Sequence, residues 1–246
     1  MIRVFVSQIR PHGSSEPEES PLLLSADERL RANRYVYPVD RQRFIRARSL
    51  LRQILATEAE VAPMEIEFAY GPHGKPWLGG PSAAREHDLR FSLSHSQDAV
   101  AIALARGFEV GIDLEAVRPL PDCDQLARSV LSSAELHAFE ALPAERRTTA
   151  FFHAWTRKEA LLKVTGEGLS RPANTVETGL MPDQPALISS RGALPRCHPE
   201  CRVESITIAA GYAAAIAYEG ARTTVEVISV QARHLDPMLS SSLPRM

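Results

Sequence analysis

Short segments between residues 89 and 114 alternate apolar and polar positions, the pattern of β-strands that bury one face. This pattern predicts three consecutive strands, at residues 89–94, 99–105 and 108–114. The third strand runs into the pentapeptide GIDLE at residues 111–115. Since side chains alternate across a strand, Asp113 and Glu115 are expected to project together from one face, while the opposite face meets a core through Val110, Ile112 and Leu114.

Two longer segments follow the period of an amphipathic helix. The first, at about residues 39–59, is predicted to turn its apolar residues inward and a row of arginines outward: Arg41, Arg43, Arg46, Arg48 and Arg52. The second covers about residues 147–164 and contains WTRKEALLK. In it, the carboxylate of Glu159 interrupts an apolar stripe, with Lys158 beside it and Lys163 one turn later. Such a mixture of charges on an apolar face favours a site for a metal and a phosphorylated ligand.

The other predicted strands and helices, together with these elements, divide the chain into two halves. A first strand is predicted at residues 2–9, a helix capped by Ser25 follows, and later strands are predicted at 176–180, 186–189, 201–209 and 212–218. Prolines at positions 119 and 121 mark a boundary. The predicted division is an N-terminal lobe at 1–117, a linker at 118–124, and a C-terminal lobe at 125–246 that ends in a flexible tail from about residue 222.

A weak internal repeat gives the expected fold class. The segment RFSLSHSQDAVAIALARG, from residue 90, aligns with RVESITIAAGYAAAIAYEG, from residue 202, and a long helix precedes each. The expectation is an α+β protein of two pseudo-symmetric lobes, each a small, largely antiparallel sheet packed with a long helix. Because each half carries only part of the candidate chemistry, a single composite site between the lobes is predicted.

Composition narrows the function classes. A formal net charge of −2 over 246 residues gives no basic excess for nucleic-acid binding. No apolar run is long enough for a membrane span, and no signal peptide is apparent. Three cysteines without a disulfide-framework spacing agree with a reducing compartment, so a cytoplasmic protein is expected.

The acidic residues Asp113, Glu115 and Glu159 would suit Mg²⁺, which prefers oxygen ligands and bridges to substrate phosphates. Taken singly, each motif is more often a solvated strand edge or an intrahelical ion pair. Taken jointly, the motifs favour a metal site. The segment Ser94-His95-Ser96, at a strand end, is a candidate for phosphate binding, although an adjacent Ser-His pair points apart on a strand and does not make a hydrolase triad.

Together HGKPWL, FSLSHS, GIDLE and WTRKEALLK followed by GLS resemble the 4′-phosphopantetheinyl transferases of the long, surfactin-synthetase-activating class. The order and spacing match from about residue 25 to residue 218. The resemblance implies a monomer built as a pseudo-dimer. It also implies transfer of the 4′-phosphopantetheine group of coenzyme A to a serine of an acidic apo carrier protein of fatty-acid, polyketide or nonribosomal peptide synthesis, with release of adenosine 3′,5′-bisphosphate.

The same resemblance implies roles for individual residues. Asp113, Glu115 and Glu159 would hold Mg²⁺ on the diphosphate of coenzyme A, and Glu159 or a metal-bound water would deprotonate the carrier serine. Lys158 and Lys163 would neutralise the diphosphate and the leaving group. The residues that would bind the 3′-phosphate and the adenosine are Arg31, Arg43, Lys75, Ser94 and His95.

Glu28 departs from the pattern, because several relatives carry a basic residue there for phosphate binding. Two rival functions use the same residues. A Mg²⁺-dependent hydrolase of nucleotide diphosphates would consume coenzyme A without a carrier protein, and a catalytically silent module would only bind a carrier.

Overall fold

The computed structural model describes residues 1–8, 23–81, 87–166, 168–183, 186–189 and 200–230. Its helices are α1 Ala26–Ala32, α2 Pro38–Ala59, α3 Cys123–Val130, α4 Ser133–Glu140 and α5 Ala144–Thr165. Its strands are β1 Ile2–Gln8, β2 Glu67–Tyr70, β3 Pro76–Gly79, β4 Leu89–Ser96, β5 Ala99–Arg106, β6 Val110–Ala116, β7 Ala186–Ser189, β8 Glu200–Ser205, β9 Tyr212–Glu219 and β10 Val225–Ser229. Short 3₁₀ helices lie at Pro63–Glu65, Gly168–Ser170 and Ala173–Thr175.

Two four-stranded sheets carry the fold. The first has the order β10-β1-β5-β4, and the second has the order β6-β9-β8-β7. All pairings in these sheets are antiparallel except that of β1 with β10. A separate hairpin joins β2 to β3.

The sheets lie face to face between the two long helices. The apolar faces of β1 and β5 pack against those of β6 and β9, so the central core lies between the sheets. Helix α2 covers the outer face of the first sheet, and α5 covers the outer face of the second. This α/β/β/α arrangement confirms the predicted α+β class, with a long helix on each small sheet.

Strands are exchanged between the halves of the chain. Strand β6 follows β5 but pairs with β9 of the second sheet, whereas β10 returns to pair with β1 of the first. The division at residues 118–124 stays a prediction. The tail was predicted from about residue 222, but Val225–Ser229 forms β10 and pairs with β1, and the part beyond residue 230 lies outside the described residues. None of the helices in the described ranges combines the length and the apolar character needed to cross a lipid bilayer.

The local predictions mostly agree with the structure. Ser25 caps α1 in a capping box with Glu28, as N-terminal signals predict. The strand predicted at 176–180 is wrong, because a 3₁₀ turn precedes this segment and the backbone N–H groups of Thr178 and Gly179 donate to the Glu135 carboxylate instead of to a strand.

The outward arginine row of α2 is corrected in part. Arg48 and Arg52 are only 5% and 1% exposed. Both pair with Glu28, at 3.2 Å from Arg48 Nε and 2.7 Å from Arg52 Nε. Buried cations need such a partner, and Glu28 lies too far away in sequence for the helical period to reveal it.

Glu28→Lys is expected to lower the free energy of unfolding by several kcal/mol, because it would set a third cation against two buried guanidinium groups. Urea denaturation measures the effect. The matched control is Asp27→Lys, one position earlier and exposed, for which a loss below about 1 kcal/mol is expected. Equal losses in the two variants would contradict a buried role for Glu28.

Candidate functional site

The acidic face of β6 lies against helix α5. Val110, Ile112 and Leu114 point into the core between the sheets, as the alternation predicts. Gly111 lies on the opposite face, where a Cβ atom would come within 2.0 Å of the Ala160 carbonyl oxygen. Helix α5 therefore fills the space beside Gly111, and a ligand cannot approach the strand there.

Lys163 connects α5 to the acidic strand. Its Nζ atom lies 2.7 Å from Asp113 Oδ1 and donates to the Ile112 carbonyl oxygen at 2.9 Å. Its side chain remains 27% exposed. A partly exposed cation is thus fixed directly at the first of the predicted acidic ligands.

The carboxylates at this junction are poorly neutralised. Burial raises the pKa of Glu159, Asp113 and Glu115 raise it further, and Lys163 lowers it. Burial also raises the pKa of Glu115, against a lowering by the Ser96 hydroxyl, and the charge of Asp113 adds to the rise. Lys163 and Arg118 supply two positive charges for three carboxylates, which leaves a local excess of negative charge that a divalent cation would relieve.

Two buried oxygen atoms fit a metal. Asp113 Oδ2 and Glu159 Oε1 have no hydrogen-bond partner among the described residues. Such atoms are costly unless something binds them. Within the same residues, no group of three His, Cys, Asp or Glu side chains is gathered into a formed metal site. The residues therefore fit Mg²⁺ as a few carboxylate oxygens, with the other ligand positions left to water and substrate phosphate.

Ser94 and His95 lie at the end of β4, next to β6. The Ser94 hydroxyl donates to Asp113 Oδ1 at 2.7 Å, so Ser94 contacts a predicted metal ligand. His95 lies at the surface, yet desolvation by the surrounding chain lowers its pKa, and the charges of Lys163 and Arg43 lower it further. His95 therefore lies within electrostatic range of both the acidic junction and the basic end of α2.

The other predicted coenzyme A ligands, Arg31, Arg43 and Lys75, contact different partners. Arg43 pairs with Asp40 at 3.2 Å and with Asp98 at 3.1 Å. The Arg31 guanidinium lies over the Phe44 ring, at 5.5 Å from its centroid. Lys75 pairs with Glu109 at 2.5 Å and lines a groove of about 650 Å³ that reaches the end of α5.

Lys158 is not brought to the site. It is fully buried, pairs with Glu135 at 2.6 Å, and donates to the carbonyl oxygens of Ala173 and Val176. The structure contradicts the prediction that Lys158 binds coenzyme A. Its neighbour Glu159 faces β6, and adjacent helical positions point about 100° apart, so the two side chains serve different surroundings.

Lys158→Met is expected to cost about 3–5 kcal/mol of unfolding free energy, because it leaves a buried carboxylate without its cation. Adding Glu135→Gln removes that charge and is expected to restore part of the loss. Urea denaturation of both variants checks the pair. A single variant of wild-type stability, or a double variant less stable than Lys158→Met, would contradict this role.

Three residues at the site have partners that the sequence did not predict. Ser96 donates to Glu115 Oε2 at 2.7 Å, and Arg118 lies 3.8 Å from the same oxygen. Glu109 pairs with both Lys75 and Arg90. The alternating serines of FSLSHS were a usable signal for Ser96, since residues two apart share a strand face. Arg118 and Glu109 carry no comparable sequence signal.

Comparison with known proteins identifies the family. A model described as the 4′-phosphopantetheinyl transferase superfamily matches residues 109–217, and one described as 4′-phosphopantetheinyl transferase, N-terminal, matches residues 15–106. The 4′-phosphopantetheinyl transferase HetI of Nostoc sp. is 38% identical over 73% of this chain and 74% of its own length. The 4′-phosphopantetheinyl transferase Sfp of Bacillus subtilis is 27% identical over 84% of this chain and 87% of its own length.

Among solved structures, holo-[acyl-carrier-protein] synthase of Thermotoga maritima overlaps 46% of this chain and 64% of its own, with 22% identity and a TM-score of 0.31. The assignment rests on the sequence matches, which place both halves of the chain in related families. They confirm the resemblance drawn from the motifs: the chain belongs to the 4′-phosphopantetheinyl transferase superfamily.

Proposed function

We propose that this transferase uses the junction of β6 and α5 to move the 4′-phosphopantetheine group of coenzyme A to a serine of an apo carrier protein in a Mg²⁺-dependent reaction. The observation that carries the proposal is the pair of unpartnered buried oxygens, Asp113 Oδ2 and Glu159 Oε1, with Lys163 beside them. Glu115 is the third proposed ligand. When bound, Mg²⁺ would supply positive charge for the diphosphate.

The side chains of the chain then take separate tasks. Lys163 holds Asp113 in place and offers its partly exposed ammonium to the diphosphate and to the leaving group. Glu159 is the proposed general base. Its raised pKa makes it a better proton acceptor than an ordinary glutamate.

The proposed step is a displacement at phosphorus. The carrier serine Oγ forms a bond to the β-phosphorus, and the bond from that phosphorus to the oxygen of the adenosine half breaks. The serine proton passes to Glu159, and the electron pair leaves with adenosine 3′,5′-bisphosphate. No side chain of the enzyme is modified, so catalysis comes from positioning and charge compensation.

The proposed adenosine end lies toward the basic residues. The charges of Lys163 and Arg43 both lower the pKa of His95, so His95 lies within electrostatic range of both. This supports a binding site for coenzyme A that extends from the acidic junction to the N-terminal end of α2. Arg31, Arg43, Lys75 and His95 are proposed to contact the 3′-phosphate and the adenosine. Both Arg43 and Lys75 already have carboxylate partners, so binding would exchange an ion pair for a phosphate contact.

A mass measurement tests the proposal. The full chain is incubated with coenzyme A, Mg²⁺ and apo carrier proteins of fatty-acid, polyketide and nonribosomal peptide synthesis, with a chelator as control. A gain of one phosphopantetheine unit that the chelator prevents is the expected result. No gain on any carrier would overturn the proposal, and adenosine bisphosphate release without a carrier would favour the hydrolase. A monomeric state and a cytoplasmic location stay predictions.

A further inference from the structure

Three alternate serines of β4 bond to the backbone of β6. Ser92 Oγ accepts the N–H of Ile112 at 3.1 Å, Ser94 Oγ accepts that of Leu114 at 3.3 Å, and Ser96 Oγ accepts that of Ala116 at 3.1 Å. Strands β4 and β6 belong to different sheets, so these hydroxyls stand where backbone carbonyls would stand in a continuous sheet. We call the three residues the serine ladder.

Two members of the serine ladder do more than join the strands. Ser94 donates to Asp113 Oδ1, and Ser96 donates to Glu115 Oε2, both at 2.7 Å. A hydroxyl has one hydrogen to donate, and accepting the neighbouring N–H directs that hydrogen toward the carboxylate. Ser92 accepts the N–H of Ile112, the residue after Gly111, and bonds to no carboxylate in the part of the chain that the structure describes.

The hydrogen bonds leave one oxygen of Asp113 for another ligand. Oδ1 receives both the Ser94 hydroxyl and the Lys163 ammonium, while Oδ2 is buried without a partner among the described residues. A carboxylate that is held on one oxygen presents its other oxygen in a fixed direction. Groups behind metal ligands commonly act in this way, and their loss lowers metal affinity about 10- to 100-fold.

We propose that Ser94 and Ser96 are positioning residues, which orient Asp113 and Glu115 for the metal, rather than ligands of the coenzyme A phosphate. The inference rests on the proposed function, in which these carboxylates bind Mg²⁺. It revises the phosphate-binding role that the sequence suggested for both serines.

Metal affinity of the full chain, saturated with coenzyme A, tests the inference. Mn²⁺ binding is followed by electron paramagnetic resonance, with Mg²⁺ as competitor, and the Mg²⁺ concentration for half-maximal transfer is measured in parallel. Ser94→Ala and Ser96→Ala are each expected to weaken Mn²⁺ binding about tenfold. Each is also expected to raise the Mg²⁺ concentration for half-maximal transfer by the same factor and to leave the KM for coenzyme A unchanged.

Ser92→Ala is the matched control, because it removes the same bond between strands but no contact to a carboxylate. Equal weakening in all three variants would overturn the inference by showing that joining the strands is what matters. A rise in the KM for coenzyme A with unchanged Mn²⁺ affinity would overturn it in favour of phosphate binding by the serines.

Asp113→Ala separates this inference from the proposed function. If Asp113→Ala abolishes Mn²⁺ binding and Ser94→Ala does not weaken it, the positioning role fails and the metal site stands. If the wild-type chain binds no Mn²⁺, or Asp113→Ala binds it as well as the wild type, both the proposed metal site and the inference fail.

Discussion

Glu159→Gln is expected to reduce transfer at least a hundredfold without destabilising the protein. The substitution keeps the size of the side chain and one carbonyl oxygen but removes the charge and the proton-accepting oxygen. Burial and two neighbouring carboxylates raise the pKa of Glu159, so its charge is disfavoured in the folded chain. Removing that charge should therefore leave the free energy of unfolding unchanged or slightly raised.

Activity and stability are measured on the same preparation, by carrier mass gain and by thermal denaturation with and without Mg²⁺. The wild type is expected to gain stability from Mg²⁺, and the variant to gain less. Glu145→Gln, an exposed position in the first turn of α5, is the matched control and should behave as wild type. Normal transfer by Glu159→Gln would show that neither a metal ligand nor a base is needed at this position.

The part of the site that the sequence predicted is the part set by local periodicity. Alternation along β6 placed Asp113 and Glu115 on one face, and the helical period of α5 placed Glu159 and Lys163 on one side. These relationships need only one element each. The fold class also followed, because the repeat showed two copies of the same sheet and helix arrangement.

The errors concern partners that come from distant parts of the chain. Lys158 was predicted to be a site residue because it adjoins Glu159, but its side chain points to Glu135 on α4 and forms an ion pair there. Arg48 and Arg52 were predicted to be exposed because they are charged. Glu28, the carboxylate that pairs with both of them inside the protein, is at least 20 positions away. No period within one helix carries that information.

The same physics explains why the serine ladder was missed. The sequence showed Ser94 at the end of β4, and its nearest plausible role was phosphate binding. Its role toward Asp113 depends on β4 and β6 lying side by side at the boundary of two sheets that are not joined by backbone hydrogen bonds. Thus Asp113 and Glu115 could be found from β6 alone. The sequence showed that the serines share one face of β4, but only the assembled fold shows that this face meets the two carboxylates.

Gly111→Ala is expected to destabilise the protein by several kcal/mol and to abolish transfer through loss of the folded site. The added Cβ would meet the Ala160 carbonyl oxygen at 2.0 Å and the Val164 nitrogen at 2.9 Å. These are backbone atoms of α5, which cannot rotate away as a flexible side chain could. Relief requires the helix to move off β6, and this movement would separate Glu159 and Lys163 from Asp113.

Gly107→Ala, in the turn before β6, is the control that separates contact from conformation. Gly107 has φ of +80°, so alanine there is strained by about 1–2 kcal/mol, but no atom lies within 4 Å of the added Cβ. Urea denaturation should therefore rank Gly111→Ala well below Gly107→Ala in stability, and transfer should survive only in the latter. A Gly111→Ala protein as stable as Gly107→Ala would mean that α5 does not need to touch β6 closely. The distance between the base on the helix and the acidic strand would then not be fixed by this glycine.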